Sequence, residues 1–370
     1  MLSLGSMIRT YLNPAFAAFA AFAAFALASC DNTLDVTADF ERIPVVYGIV
    51  NPKSDTQYVR VGRSYLGADG PVGGMNHPDS LYYPNLVVEL RALGPAGAVI
   101  FTDTYTETAD IPKEPGLFTS VGHRVYRLVR PGFSQNPSRT DYSYEITLRE
   151  SPGSAIIARS STPCVDSIRL KQPSYFGLQK LSIASKNGYL IQWNQTKNAR
   201  IYQGYVDFRY MEMAYGSIQD SVQRVIRYPL PYITGGSLVG GTSIVSTTLD
   251  YRGFYNFLRA SIPAAPLGTI RWFRGMDLYL SAGSDALATY ISVSQPSNSI
   301  NQDPPFFTNI IGGAGIFASK TSIFKPYLGL SNTSLDSLGN SNLTCALQFG
   351  RASAGDTCAC GPQRTWDRCF

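Results

Sequence analysis

The chain has 370 residues and a formal net charge of +5, from 31 Lys and Arg against 26 Asp and Glu. The basic residues are scattered, which excludes the Lys/Arg blocks through which proteins follow nucleic-acid phosphates. Aromatic residues make up 12% of the chain, beside 33 Gly and 23 Pro, a mixture typical of many short strands joined by turns. We therefore predict a mostly β protein of the sandwich type, and the length predicts roughly two domains.

Residues 1–29 have the three-part pattern of an export signal. Arg9 is their only charged residue, and residues 15–28 are almost purely Ala and Phe. One positive charge, a short apolar run and small residues before a cleavage site are typical of a secretory signal peptide. The alternative is a membrane-spanning anchor, but the apolar run is shorter than the ~20 residues that a helix needs to cross a bilayer.

The apolar run ends in Leu27-Ala28-Ser29-Cys30, which resembles the bacterial lipobox. The resemblance implies cleavage between Ser29 and Cys30, followed by a lipid on the Cys30 thiol. Each buried methylene contributes about 0.8 kcal/mol, and stable anchoring takes more than one chain. The alternative is ordinary signal cleavage with no lipid on Cys30. Residues 30–42 are polar and are predicted to be a tether.

Residues 43–162 are predicted to form an N-terminal β-sandwich. Alternation of Tyr58, Arg60 and Gly62 with Val59 and Val61 indicates a strand with one buried face. Turn formers separate this strand from its neighbours. The predicted strands are 43–52, 56–67, 86–93, 98–107, 124–129, 141–150 and 154–162.

Residues 163–330 are predicted to form a second β-rich domain with short helices. The Trp193 strand, followed by the Tyr202–Tyr210 strand, resembles the B and C strands of fibronectin type III modules, which implies a core position for Trp193. The glycine-rich segment 235–241 lacks the Lys-Ser/Thr of a P-loop and is predicted to be a flexible linker. Predicted strands are 189–196, 199–216, 221–230, 243–250, 269–283 and 315–319; predicted helices are 251–263, capped by Asp250, and 284–293, capped by Ser284.

Residues 331–370 are predicted to be a polar linker and a Cys-rich tail. Because an exported protein permits disulfides, we expect disulfides within the set Cys345, Cys358, Cys360 and Cys369. The alternative is a metal site with Cys358, Cys360 and Cys369 as thiolates, but the Cys-x-Cys spacing is not that of zinc sites and no histidine lies nearby. Cys164 is expected to pack in a core.

The sequence contains no convincing catalytic or metal-binding motif. Its two histidines, His77 and His123, cannot build a three-histidine zinc site, and no His-Glu-x-x-His or Gly-x-Ser-x-Gly motif occurs. Both are predicted to be structural or surface residues. A glycosidase-type carboxylate pair could come from Glu145, Asp207 or Glu212, although acids on strands more often lie on a solvated face. We therefore predict no enzyme, cofactor or metal.

Four Asp-Ser-apolar triplets resemble the O-glycosylation acceptor of Bacteroidota. The alternative is a set of ordinary turns, because Asp and Ser side chains bond to nearby backbone in turns. We favour the turn interpretation. The triplets begin at Asp79, Asp166, Asp220 and Asp336.

Beyond the lipobox, the chain resembles a group of lipoproteins of Bacteroidota that have no established activity. The matching pieces are VVYGIVNP and YVRVGRSYLG (45–52 and 58–67), DSLYYPNLVVEL (79–90) and the late SQP…TNI..G.GIF pattern. The pattern runs over most of residues 40–320. It implies an outer-membrane lipoprotein with an N-terminal immunoglobulin-like or transthyretin-like β-domain.

These observations favour a non-enzymatic cell-envelope lipoprotein, held at the outer membrane by its lipid, that works as a binding or assembly subunit. Its expected partner is an outer-membrane barrel protein or an extracellular polymer, and exposed Tyr and Phe on sheet faces would mark the contact surface. Which side of the membrane it faces is left open. The alternative is a secreted-side hydrolase acting on glycan or peptide, which would need a pocket with convergent carboxylates or with His123 near a serine.

Overall fold

The computed structural model describes residues 42–64, 78–114, 122–135, 141–185, 187–214, 220–266, 268–295 and 306–350. Within them the chain is mostly β, as predicted, with several sheets in a sandwich-like arrangement. The strands are β1 (Pro44–Val50), β2 (Thr56–Arg63), β3 (Val87–Leu93), β4 (Val99–Thr104), β5 (Thr106–Thr108), β6 (Val125–Val129), β7 (Ser143–Arg149), β8 (Ile156–Pro163), β9 (Leu170–Gln172), β10 (Lys180–Leu181), β11 (Tyr189–Asn194), β12 (Ile201–Ala214), β13 (Val222–Pro229), β14 (Ile233–Thr234), β15 (Ile244–Leu249), β16 (Thr269–Gly283) and β17 (Ala314–Leu330). The helices are α1 (Pro78–Leu81), α2 (Tyr251–Ser261), α3 (Asp285–Ser294) and α4 (Asn332–Asn340).

The first part of the chain contributes strands to two sheets that share one core. Strands β5, β6, β2 and β1 are neighbours in one sheet, and β4, β3, β7 and β8 form the other. Alternate side chains of these strands are buried because each sheet turns one face inward. The core includes Val46, Val59, Leu90, Tyr126, Ile146 and Leu148, together with Phe317 from late in the chain.

The second part is also built from two sheets around one core. Strands β15, β11 and β9 form the smaller sheet, and β13, β12, β16 and β17 are neighbours in the larger one. Trp193 of β11 is fully buried and its ring lies 5.3 Å from that of Tyr202 of β12. The two strands that resemble the B and C strands of fibronectin type III modules therefore lie in opposite sheets and meet in the core, and the predicted core position of Trp193 is confirmed.

Strand β17 joins the two parts into one sheet. Its first half pairs in parallel with β1, from Val45 opposite Ala314 to Val50 opposite Ser319, and its second half pairs antiparallel with β16. A sheet of ten strands results. The predicted strand at 315–319 is therefore much longer, at 17 residues. The predicted division near residue 162 stays a prediction: the hydrophobic cores follow it, whereas the sheet runs across it.

One of the two predicted helix caps, Asp250, is confirmed, whereas the Ser284 side chain does not cap its helix. The Asp250 side chain accepts from the backbone N–H of Gly253 at the start of α2, as predicted. Ser284 precedes α3, but its hydroxyl accepts from the Ser319 N–H in the neighbouring strand. The expectation of a linker at the start of 331–370 is wrong for residues 332–340, which form helix α4, capped by Ser331 with Leu338 buried. Leu335 and Leu338 stabilise the helix because they pack on the core. The mostly polar composition of the segment gave no indication of this packing.

Among the described residues, no helix is both long enough and apolar enough to cross a bilayer. The predicted signal peptide, Ser29 and Cys30 of the cleavage site, and the tether up to residue 41 lie outside the described residues. So do His77 and three of the tail cysteines, Cys358, Cys360 and Cys369.

Candidate functional site

The three candidate carboxylates for catalysis do not converge. Glu145 lies 3.1 Å from Arg91 on the neighbouring strand β3. Asp207 makes two hydrogen bonds with Arg227 of β13, and Glu212 accepts from Arg271 of β16 at 2.8 Å. Each acid therefore faces an arginine across a strand pair, where it neutralises charge and helps to hold the sheet.

Metal-ligand side chains are also dispersed in the described part of the chain, where no group of three His, Cys, Asp or Glu could hold an ion. Cys164 is fully buried in the core of the first part, as expected for a packed thiol, and its Sγ lies 3.6 Å from the Val165 carbonyl oxygen. Cys345 begins a short 3-10 helix and is half-buried. The disulfides expected in the tail remain a prediction.

A groove lies on the outer face of strands β1 and β2. In β1 the buried residues alternate with Val45, Tyr47 and Ile49, which face outward. Tyr47 stands directly opposite Arg60, and Val45 opposite Gly62. Antiparallel register therefore sets an aromatic ring beside a guanidinium on an open sheet face.

Helix α1 and the loop at residues 111–114 flank this face, where two adjoining open cavities have volumes of about 530 and 460 Å³. Both cavities are lined by Tyr47, Arg60 and Lys113; the larger also by Leu81 and Tyr82, and the smaller by Tyr58, Glu114 and His123. We call the two cavities together the β1–β2 groove. Its size is that of a small-molecule or short-polymer site.

Arg63 holds the wall formed by α1. Its guanidinium donates to the Ser80 carbonyl oxygen at 3.0 Å and to that of Asp79, at the end of the helix. Carbonyls that a helix end leaves without a partner are satisfied in this way. A Cβ on Gly62 would lie 3.3 Å from the Leu81 carbonyl oxygen, so glycine allows the wall to sit close to β2.

The groove concentrates positive charge. Burial lowers the pKa of Lys113, and the nearby charge of Arg60 lowers it further. Burial also lowers the pKa of His123 from its ordinary value, with Arg60 and Lys113 adding to the effect, so the imidazole is neutral at pH 7. Among the described lining residues Glu114 is the only acid. The repulsion between like charges that are held close together is relieved when an anion binds between them.

His123 lies at the edge of this groove. Its Nδ1 is 3.3 Å from the hydroxyl of the buried Tyr82. This hydrogen bond links His123 to Tyr82 in the wall of the groove, as expected for a structural residue. His123 also lines the smaller cavity. No hydrogen bond between His123 and a serine is found in the described part of the chain.

Of the groove residues, His123 was a candidate from its residue type, whereas no motif in the sequence marked Tyr47, Arg60, Lys113 or Tyr82. One signal was present, because the alternation in β2 already placed Arg60 on the solvent face of its strand. No local pattern could place Lys113 beside it, because residues 111–114 form a loop far along the chain from β2.

A second surface lies on the outer face of the larger sheet. The rings of Tyr205 and Tyr279 stack at 4.9 Å with 10° between their planes, and the Arg227 guanidinium lies 3.8 Å from the Tyr205 ring centroid. Phe324, opposite Tyr279, is exposed. Because Tyr205 has a neighbour on each side of its ring, this row presents ring edges to solvent and strengthens the sheet across its strands.

The Asp-Ser triplets and the glycine-rich segment occupy ordinary structural positions. Asp79 lies in α1 and Asp336 in α4, whereas Asp166 and Asp220 lie outside helices and strands. Asp166 accepts from the Ser167 N–H, in accord with a local turn bond. The segment 235–241, expected to be a flexible linker, is a loop held by a bond from Gln195 to the Ser237 carbonyl oxygen.

No protein-family model and no curated protein matches the chain. Trypsin-activated alpha-2-macroglobulin from Escherichia coli is similar at 10% identity and a TM-score of 0.16, over 66% of this chain and 14% of that one. A cytokine receptor complex is similar at 13% identity and a TM-score of 0.17, over 66% and 86% of the two chains. The BSP domain of a biofilm-associated protein is similar at 8% identity and a TM-score of 0.16, over 77% of this chain and 58% of that one. The chain spans only a small part of the macroglobulin's length. With TM-scores this low, none of these similarities indicates a function.

Proposed function

We propose that this protein is a cell-envelope lipoprotein, anchored through a lipid on Cys30, that works as a non-catalytic binding subunit, and that its β1–β2 groove holds an anionic ligand. The observation that carries the proposal is the convergence of Arg60 and Lys113 on one groove whose described lining includes a single acid. An arginine and a lysine aimed at one space are the usual recognition groups for carboxylate, sulfate or phosphate.

Two features of the groove favour an extended anionic saccharide. Tyr47 and Tyr58 supply aromatic surface beside the cations. The Tyr47 ring also packs edge to face on the Tyr290 ring of helix α3, with 6.4 Å between the ring centroids. Rings of this kind cover the apolar faces of a sugar while charged groups bind its acidic substituents. Because the two cavities share three lining residues, one chain could run through both. An extracellular acidic polysaccharide is therefore the proposed partner class.

We expect the purified full chain to bind polygalacturonate at low salt and not to bind dextran, a neutral polysaccharide. Arg60→Gln and Lys113→Gln are each expected to weaken binding roughly tenfold or more, because a hydrogen bond to a charged group contributes about 1.5–3 kcal/mol. Isothermal titration calorimetry measures both affinities.

Arg252→Gln is the matched control, since Arg252 is an exposed arginine of helix α2 that lines neither cavity. Equal losses in the Arg60 and Arg252 variants would assign binding to general charge and would contradict the proposed site. Release of new reducing ends from the polysaccharide by wild-type protein, abolished by a groove variant, would contradict the non-catalytic part.

Anchoring has its own test in protein purified from native membranes. We expect mass spectrometry of the N-terminal peptide to find Cys30 as the first residue, carrying acyl chains on its thiol and on its amino group, since stable attachment takes more than one chain. Cys30→Ser is expected to move the protein out of the membrane fraction. An unmodified terminus, or residues 1–29 still attached, would refute the anchor without bearing on the groove.

A further inference from the structure

The loop between β9 and β10 displays apolar side chains to solvent. Phe176 is 81% exposed, Leu178 86% and Tyr175 47%, and the rings of Tyr175 and Phe176 pack edge to face. Single exposed apolar residues are common on protein surfaces, whereas a group of three at one loop tip marks a contact with another apolar phase.

This tip is held in place by a buried lysine. Lys325 of β17 is only 8% exposed, and its ammonium donates to the Tyr175 and Gly177 carbonyl oxygens at 2.7 and 2.8 Å. The backbone is also tied to the same strand, because the Gly329 N–H donates to the Gln179 carbonyl oxygen. Because the loop is already ordered, presenting its side chains costs little further conformational entropy.

The chain on both sides of the tip is basic. Lys171 and Lys180, at the two ends of the loop, are exposed. The sequence contains no Asp or Glu between Asp166 and Asp207, and every charged residue in that interval is Lys or Arg. Aromatic and aliphatic side chains flanked by lysines suit the boundary between acyl chains and anionic headgroups.

We infer that the loop of residues 173–179 inserts its tip into a lipid surface that carries anionic headgroups. A membrane explains the apolar tip and the one-sided charge together: Phe176 and Leu178 enter the acyl boundary, and Lys171 and Lys180 stay at headgroup level. The inference stands on the loop alone and holds whether or not Cys30 carries a lipid.

The test uses the Phe176→Trp variant of the full chain and vesicles of phosphatidylcholine mixed equally with phosphatidylglycerol. The fluorescence of the introduced tryptophan is obtained as the difference between the variant and the wild type, which has three tryptophans. We expect this difference emission to shift to shorter wavelength on vesicles and to be quenched by lipids brominated on their acyl chains. Val239→Trp is the matched control, because Val239 is equally exposed in another loop, and it is expected to show neither change.

Charge is tested with Lys171→Gln and Lys180→Gln in the Phe176→Trp background. Each is expected to lower the insertion equilibrium constant, read from the quenched fraction, roughly fivefold, and vesicles of phosphatidylcholine alone are expected to lower it further. Absence of quenching in the Phe176→Trp variant, or equal quenching in the Val239→Trp variant, would overturn the inference. A failure of the proposed lipid anchor would be detected separately, because mass spectrometry would then find Cys30 unmodified.

Discussion

Replacing Gly315 with alanine is expected to lower the free energy of unfolding by about 3–5 kcal/mol. Gly315 has a φ of +102°, and a Cβ built there would lie 2.0 Å from the Val46 carbonyl oxygen. The residue stands opposite Val46 in the parallel pair of β1 and β17. Alanine must therefore either strain the backbone or push β17 away from β1, and the second outcome also disturbs the core around Phe317.

Urea denaturation followed by circular dichroism measures this loss. Gly329→Ala is the matched control in the same strand, because its Cβ would make ordinary contacts with the Lys180 Cγ at 3.4 Å and the Gln179 carbonyl oxygen at 3.6 Å, and its φ is not positive. We expect this control to change stability by less than about 1 kcal/mol. Equal effects at the two glycines would show that β17 does not depend on its contact with β1.

Removing the carboxylate of Glu212 is expected to cost about 3–5 kcal/mol, because it leaves a buried cation without its counter-charge. Arg271 is 1% exposed; its Nε donates to Glu212 and its second donor reaches the Leu347 carbonyl oxygen at 3.0 Å. Its backbone also bonds with Gln348 and Gly350, so the arginine fixes the segment that carries the buried Phe349. Glu212→Ala is therefore expected to loosen this segment.

The control for Glu212→Ala is Asp207→Ala in the same strand, which breaks an ion pair whose Arg227 partner is largely exposed. An exposed pair contributes about 0–1 kcal/mol, so we expect a small loss in urea denaturation. The double variant Glu212→Leu with Arg271→Met is expected to recover most of the stability, because it removes both charges. Similar losses for Glu212→Ala and Asp207→Ala would contradict the importance of burial.

Most of the longer strands and two of the helices could be predicted because their signals are local. Alternating apolar residues indicated the inner face of β2, and Asp250 marked the start of α2. The same logic failed at α4, where Leu335 and Leu338 in a mostly polar run gave too few apolar residues to indicate a helix. Its stability comes from packing on the second core, which is a property of the neighbours and is not encoded within the segment.

By itself, the sequence determined the class of the fold and the core positions of Trp193 and Cys164, since each depends on residues close together in the chain. The export and lipidation signal at Cys30 stays a prediction. Only the tertiary structure decided that β17 reaches back to β1 and that Lys113 comes beside Arg60 and Tyr47. It also decided that Lys325 reaches the carbonyls of the loop at 173–179. These contacts join residues far apart in sequence, and their partners are selected by register and packing after the strands have formed.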